Sequence, residues 1–316
     1  MRHALVMVLV AGVWFITPGQ NVADSIVYDK GIEWQVFSAD GPVQSFCVHN
    51  NIIWMSTPTH VAMLDIRSGK LANFMRLGSA PAENVPSIVR DNDGTIWFAT
   101  TEGVAARRGE SFTNYTTDHG LGDNQINKLL VARDGSIWAA TGNGASVFSG
   151  GTWKTHGVDA GLAAPAVTSI TQDQRGALWF GTARGISVFH EGKWQTHSMK
   201  TGLSWNSVKA LAADHRKGEI WAAVGEKDIN RFNGTEWQQY MDIQEGIVSI
   251  MADTQSRIWF GSPTGLIRFN GMEWITDAKT IGVPAAMVTD MYRDGAGNLW
   301  FASENGVVFL TNPYPF

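Results

Sequence analysis

Residues 167–199 read VTSITQDQRGALWFGTARGISVFHEGKWQTHSM, and the punctuation of this stretch decides the architecture. Val167, Ser169 and Thr171 alternate against Ile170, and Leu178 and Phe180 flank Trp179. That period of two predicts short strands. Between them, Asp173 starts a turn that Gly176, tolerant of positive φ, completes, while Gly181 and Gly185 bracket the next reversal. The stretch is a run of short strands joined by tight turns.

The same unit recurs along the chain. An Ile or Leu followed by Trp returns at Trp54, Trp97, Trp138, Trp179, Trp221, Trp259 and Trp300, in steps of 43, 41, 41, 42, 38 and 41 residues. The acidic turns return as Asp91–Gly94, Asp253–Ser256 and Asp294–Gly297. They lack the graded ligand positions and terminal Glu of a calcium-binding loop, and so read as hairpin turns. A period of about 40 residues accommodates four short strands and lies in the range of propeller blades. The fold expected is all-β, a seven-bladed β-propeller filling residues 24–316 as one domain, although 316 residues alone would suggest two.

A second aromatic marks the outer strand of most units: Trp153, Trp194, Trp237 and Trp274, with Phe74 and Phe112 at matching places. Trp34, in GIEWQVF, resembles the GTEWQQY segment around Trp237 but precedes the first complete unit. The last unit, meanwhile, stops after its third strand, Val307 to Leu310. The two defects fit each other. Residues 31–38 are expected to complete the seventh blade and so remove an open edge.

The 24 Lys plus Arg against 29 Asp plus Glu give a net charge of −5 without a basic cluster, which argues against a nucleic-acid partner. The single cysteine, Cys47, sits in the alternating stretch Val43 to Val48 and reads as a small buried hydrophobe. Arg2 and His3 precede an apolar run from Ala4 to Ile16, followed by Pro18-Gly19-Gln20 and Ala23. This is the pattern of a secretory signal over residues 1–23, too short for a membrane-spanning helix, with an uncleaved anchor as the alternative. A periplasmic or secreted protein is expected.

Written out in this way, the chain resembles the two-component regulator propeller repeats of periplasmic sensor regions. The shared features are a Gly-Leu lead-in (Gly120-Leu121, Gly161-Leu162, Gly202-Leu203), an Asp six residues after the first strand's leading Val or Ile, and Leu/Ile-Trp before a Gly-bracketed turn. The resemblance implies a sensor propeller. In larger members a further β domain, a membrane span and a kinase follow; none is expected here, so a separate membrane sensor protein would have to carry any signal. The Trp-Phe pairs at Trp97-Phe98, Trp179-Phe180, Trp259-Phe260 and Trp300-Phe301 also resemble the scaffold strand of streptogramin-type lyases. No His and Glu map onto that family's site.

By fold-level analogy, ligands are expected on the face shared by the loops leading into each blade and the turns between second and third strands. Those turns are 57–60, 100–103, 141–144, 182–185, 224–228, 262–265 and 303–306, and all but one read as Gly or small polar residues with little chemistry. The exception, Gly225-Glu226-Lys227-Asp228, brings three charges beside Trp205, which is outside both repeat positions. An aromatic ring next to charged groups is a common grip for a sugar. The candidate ligand-binding residues are therefore Trp205, Asn206, Arg184, Glu226, Lys227 and Asn124, with a small molecule such as a glycan as partner. The alternatives are that Trp205 lids its own blade and that Asn206 and its counterpart Asn124 brace the loop backbone. His119, His156 and His197 fall in successive blades, too far round a ring to share one metal. No catalytic motif, metal site or cofactor is expected, and the chain is expected to be a monomer. A protein-interaction platform without a small ligand, or a lyase-like enzyme, are the other readings.

Overall fold

The computed structural model describes residues 33–240, 246–275 and 287–310, together with the backbone of 8–10, 13–15 and 24–27. Residues 1–23, read above as a secretory signal, apart from two short paired strands (Val8–Val10 and Val13–Phe15), and residues 276–286 lie outside the described residues. The rest is a ring of seven antiparallel sheets, with one small two-stranded hairpin, Arg76–Leu77 with Ala80–Pro81, between the first two.

Blades 1 to 6 each contain four consecutive strands in up-and-down order. Their first strands are Ser45–His49, Ile88–Arg90, Ile126–Val131, Val167–Gln172, Val208–Asp214 and Ser249–Ala252, with Val288–Arg293 in blade 7. Each first strand touches the first strands of its neighbours, so together they line the central channel. Every repeat Trp lies on the second strand, and the second aromatics lie on the fourth, as the spacing requires.

Glu33–Ser38 closes the ring by pairing with Gly306–Leu310, Trp34 opposite Leu310 and Ser38 opposite Gly306. The expected closure stands. One further strand, Asp24–Val27, pairs outside it and gives blade 7 five strands.

The Trp-Phe dipeptide explains how the blades adhere. Side chains alternate across a strand, so Trp and the residue after it enter different interblade cores. Trp179 packs with Leu203, Val208 and Ile220 toward blade 5, whereas Phe180 packs with Trp138, Ala140 and Leu162 toward blade 3. Phe rings accordingly meet the preceding blade's Trp: Trp54 and Phe98 at 5.5 Å, Trp138 and Phe180 at 5.4 Å, Trp259 and Phe301 at 5.8 Å. Blades 3 and 5 have Ala139 and Ala222 at that place, and other rings take up the room. Trp97 meets Phe148 and Trp153, and Trp179 meets Phe232 and Trp237. Trp153 and Trp237 are therefore buried, whereas Trp194 and Trp274, beside Phe180 and Phe260, stay half-buried.

The acidic turns fasten the same tryptophans. Asp173 Oδ1 accepts from the backbone of Arg175 and Ala177, and its Oδ2 accepts from Trp179 Nε1 at 3.2 Å. Asp91, Asp253 and Asp294 bond Trp97, Trp259 and Trp300 likewise. The Asp-to-Trp spacing of six residues thus orders a turn and satisfies a buried N–H at once.

Candidate functional site

The up-and-down order places the loops leading into each blade and the second-to-third-strand turns on one face, termed upper here. Backbone bonds tie them together: Gly103 N–H donates to Asn124 O, Gly144 N–H to Pro165 O, and Gly225 N–H to Ser207 O. Three of the loops begin with a single 3₁₀ turn, at Thr117–His119, Val158–Ala160 and Met199–Thr201. The glycines of the Gly-Leu lead-ins end these turns, with φ of 95°, 119° and 112°, and the leucines sink into the cores. A Cβ on Gly161 would come within 2.6 Å of Trp194, so glycine is required twice over there.

Asn124 and Asn206 have the bracing role. Asn124 Oδ1 accepts from Thr117 N–H and Asn206 Oδ1 from Met199 N–H, both at 2.8 Å. The two bonds hold equivalent loops two blades apart, so Asn124 is not brought to Trp205.

Trp205 itself is 53% exposed, and the indole lies against the Gly225 backbone, where a Cβ would approach its Cδ1 to 2.6 Å. Behind it the loop is fixed by Asn230, fully buried, whose Oδ1 accepts from Ser204 N–H at 2.8 Å and whose Nδ2 donates to Ser204 Oγ at 2.9 Å. Ser146 and Ser187, at the same place in blades 3 and 4, take one backbone N–H each. Asn230 thus gives Ser204, the residue before Trp205, one bond more than these serines give their own loops. Glu226 and Lys227 stand exposed beside it, and Asp228 is buried with Oδ2 unpartnered. Arg184 is exposed in the corresponding turn of blade 4, its N–H bonded to Thr182 Oγ1.

Two features of this region were not read from sequence. Lys209 occupies a β-bulge between Val208 and Ala210. In blades 3, 4 and 7 the bulged residue, Asn127, Thr168 or Thr289, donates to the next first strand or, for Thr289, to Val43 O just before it. Lys209 is exposed instead and adds a cation to the upper mouth. The turn of blade 1, expected to carry little chemistry, holds His60, 5% exposed, with Nδ1 3.1 Å from both Thr57 Oγ1 and Thr59 Oγ1.

Below the mouth, the residue after the bulge is Ser169 and Ala210 in blades 4 and 5, with Ser45, Ser87 and Ser249 at that level in blades 1, 2 and 6, but Lys128 and Asp290 in blades 3 and 7. Lys128 Nζ reaches Asp290 Oδ1 at 3.1 Å, and Ser45 Oγ donates to Asp290 Oδ2 at 2.7 Å. Blades 3 and 7 are not neighbours, so this ion pair bridges the channel.

The remaining sequence candidates are part of the scaffold. His156 and His197 stack on Trp138 and Trp179, the latter pair at 5.4 Å and 9° between planes. Burial lowers both histidine pKa values, which keeps the rings neutral near pH 7. His119 Nδ1 accepts from Thr116 N–H within its 3₁₀ turn. Burial pushes the Cys47 thiol up to about 12, so it is not a thiolate at neutral pH.

The family profile described as two component regulator propeller matches residues 79–102, 161–184 and 282–305. The second match runs from the Gly-Leu lead-in of blade 4 to Arg184. Among solved structures, the extracellular domain of a protein described as a hybrid two component system from B. thetaiotaomicron is 18% identical, with a TM-score of 0.71 over 95% of this chain and 47% of that one. A second extracellular domain from that organism, described as part of a one component system, is 19% identical, with a TM-score of 0.61 over 98% of this chain and 46% of that one. The present chain therefore spans about half the length of either. Virginiamycin B lyase from Staphylococcus aureus is 17% identical, with a TM-score of 0.71 over 89% of this chain and 99% of that one. No curated protein sequence matches.

Proposed function

Since the chain carries two component regulator propeller repeats on a seven-bladed ring, we propose that it is an exported, non-catalytic sensor propeller whose upper face at blade 5 binds a small ligand. The observation that carries this reading is Trp205. It is an exposed indole outside the repeat pattern, seated on Gly225 and buttressed by the buried Asn230 amide. Next to Glu226, Lys227 and Lys209 it presents a flat apolar face rimmed by donors and acceptors, the chemistry that grips a sugar. Asn206 keeps the loop in place without touching the ligand, and Arg184 extends the rim toward blade 4.

The neighbours described as extracellular domains support a place outside the cytoplasm, in keeping with the secretory pattern of residues 1–23. The signal passes to a separate membrane kinase. The lyase likeness, at 17% identity, extends to the fold alone.

Thermal-shift titration of the mature protein with sugars and cell-wall fragments tests the reading, because a ligand of the folded state raises Tm with concentration. Trp205→Ala is expected to abolish that shift while leaving the unliganded Tm nearly unchanged. Loss of stability without loss of affinity would make Trp205 a lid. A second reading, a protein-docking platform, is favoured by the exposed Val158, Met199 and Val248 on the loops leading into blades 4, 5 and 6. Under that reading no small ligand shifts Tm, and a Met199→Ser/Val248→Ser variant loses its partner.

A further inference from the structure

The lower face carries a second irregularity of blade 5. In blade 4 Asp173 precedes Trp179 by six residues; in blade 5 Asp214 precedes Trp221 by seven, one residue being added between the acidic residue and the turn glycine, Gly218. The Asp-to-Trp bond is lost. Asp214 Oδ1 accepts instead from Arg216 N–H at 3.0 Å, Lys217 N–H at 3.3 Å and Ser256 Oγ of blade 6 at 3.1 Å. Its Oδ2 and Trp221 Nε1 are both buried without a partner, although Asp214 is only 1% exposed.

His215 and Arg216, in this turn, are exposed at the lower mouth. With Asp214, Thr254 of blade 6 and Arg293 of blade 7 they line a cleft of about 330 Å³. From blade 3, Arg133 donates to Gln174 O at 2.7 Å and sets Nη2 3.1 Å from His215 Nδ1. Arg133, Arg216 and Arg293 make no ion pair among the described residues. The nearby carboxylates are already engaged: Asp173 by Arg175 and Trp179, Asp253 by Arg257 and Trp259.

We propose that this lower mouth is a second binding site, for a small hydroxylated anion: a sugar acid or sugar phosphate in chemical class. The oxyanion sits between Arg216 and Arg293, with His215, held by Arg133, as a further donor. A hydroxyl of the ligand donates to Asp214 Oδ2, supplying the partner that blade 4 takes from Trp179. The site is independent of Trp205, which lies on the opposite face.

Burial first, then Arg133 and Arg293, lower the His215 pKa, against the opposing pull of Asp214 and Asp173. An anion in the cleft screens those cations. Binding therefore raises the His215 pKa, and affinity increases as pH falls; Arg216, Lys217 and Asp253 are the other charged groups nearby.

Isothermal titration of the full chain with gluconate and, separately, inorganic phosphate, at neutral pH and low salt, separates the two anion types. Saturable binding of one is expected. Arg216→Gln and Arg293→Gln should each weaken it by about tenfold, the value of one charge-assisted contact, with Tm unchanged. NMR titration of the His215 imidazole should show its pKa rising at saturation, and Trp205→Ala should leave the affinity as it was. Binding that survives the double Arg variant, or no saturable binding of either anion, overturns the proposal.

Discussion

Blades 4 and 5 are built from one unit, yet blade 4 keeps every bond of the pattern and blade 5 breaks it at both ends. On the lower side Asp173 holds Trp179, while Asp214 and Trp221 are left apart. On the upper side Thr182 pairs with Gly185 across a two-residue turn, whereas Val224 pairs with Asp228 across three. The Thr182 Oγ1 bond to Gly185 O has no counterpart at Val224, which lacks a hydroxyl. One inserted residue at each end converts scaffold atoms into free ones. In a repeat protein, chemistry has room where the repeat is relaxed, because elsewhere each polar group already has a structural partner.

The strongest way to probe this contrast is to remove the indoles. Trp179 and Trp221 are 2% and 1% exposed. Either change to Ala should cost about 3–5 kcal/mol, read from chemical denaturation, because the hole left between two blades cannot collapse. Phe is the sharper substitution. Trp179→Phe removes a donor that Asp173 uses and should cost about 1–3 kcal/mol, while Trp221→Phe discards an N–H that has no partner and should cost clearly less. Equal losses for the two Phe variants would mean that Trp221 is as well satisfied as Trp179, and the contrast would fail.

A smaller effect separates the outer strands. His197 stacks on Trp179, and Tyr240 takes the same position over Trp221 at 5.7 Å. Burial lowers the His197 pKa, so the unfolded chain binds a proton first as the solution is acidified. The stabilising contribution is complete above the unfolded value of about 6.5 and is lost as pH falls below it, toward the lower folded pKa. Melting curves at pH 5 and pH 7.5 should show an acid-side loss that shrinks in His197→Tyr, the variant that makes blade 4 resemble blade 5. His156 and His215 contribute losses of the same sign, so the loss should shrink without vanishing.

Much of the ring was legible because each of its rules is local. Ile/Leu-Trp spacing located seven second strands, and the unmatched GIEWQVF segment located the closing strand, since both defects lie on the chain itself. Lys128 and Asp290 were not read, although each stands where other blades carry Ser or Ala. Their meeting depends on a shared bulge register that brings distant first strands to one axis. His60 was missed for a related reason: a turn that usually requires Gly was read by its glycines. The lower cleft did leave a trace, the step of 42 residues between Trp179 and Trp221, but the step does not say in which turn the added residue falls.

The finest test restores the rule. Deleting His215 leaves Asp214-Arg216-Lys217-Gly218-Glu219-Ile220-Trp221, with the acidic residue, glycine and indole spaced as in Asp173-Gln174-Arg175-Gly176-Ala177-Leu178-Trp179. The shortened turn should let Trp221 donate to Asp214 and satisfy two buried groups with one bond. A gain of about 1 kcal/mol is expected, with slower hydrogen exchange at the Trp221 indole. Anion binding at the lower mouth should disappear in the same variant, because both Asp214 Oδ2 and the His215 donor are withdrawn from it. Stability and binding would then move in opposite directions from a single deletion, as expected if the blade 5 turn trades a scaffold bond for a site. A destabilised variant that still bound the anion would mean that the longer turn is the better-packed one, and that the cleft does not depend on it.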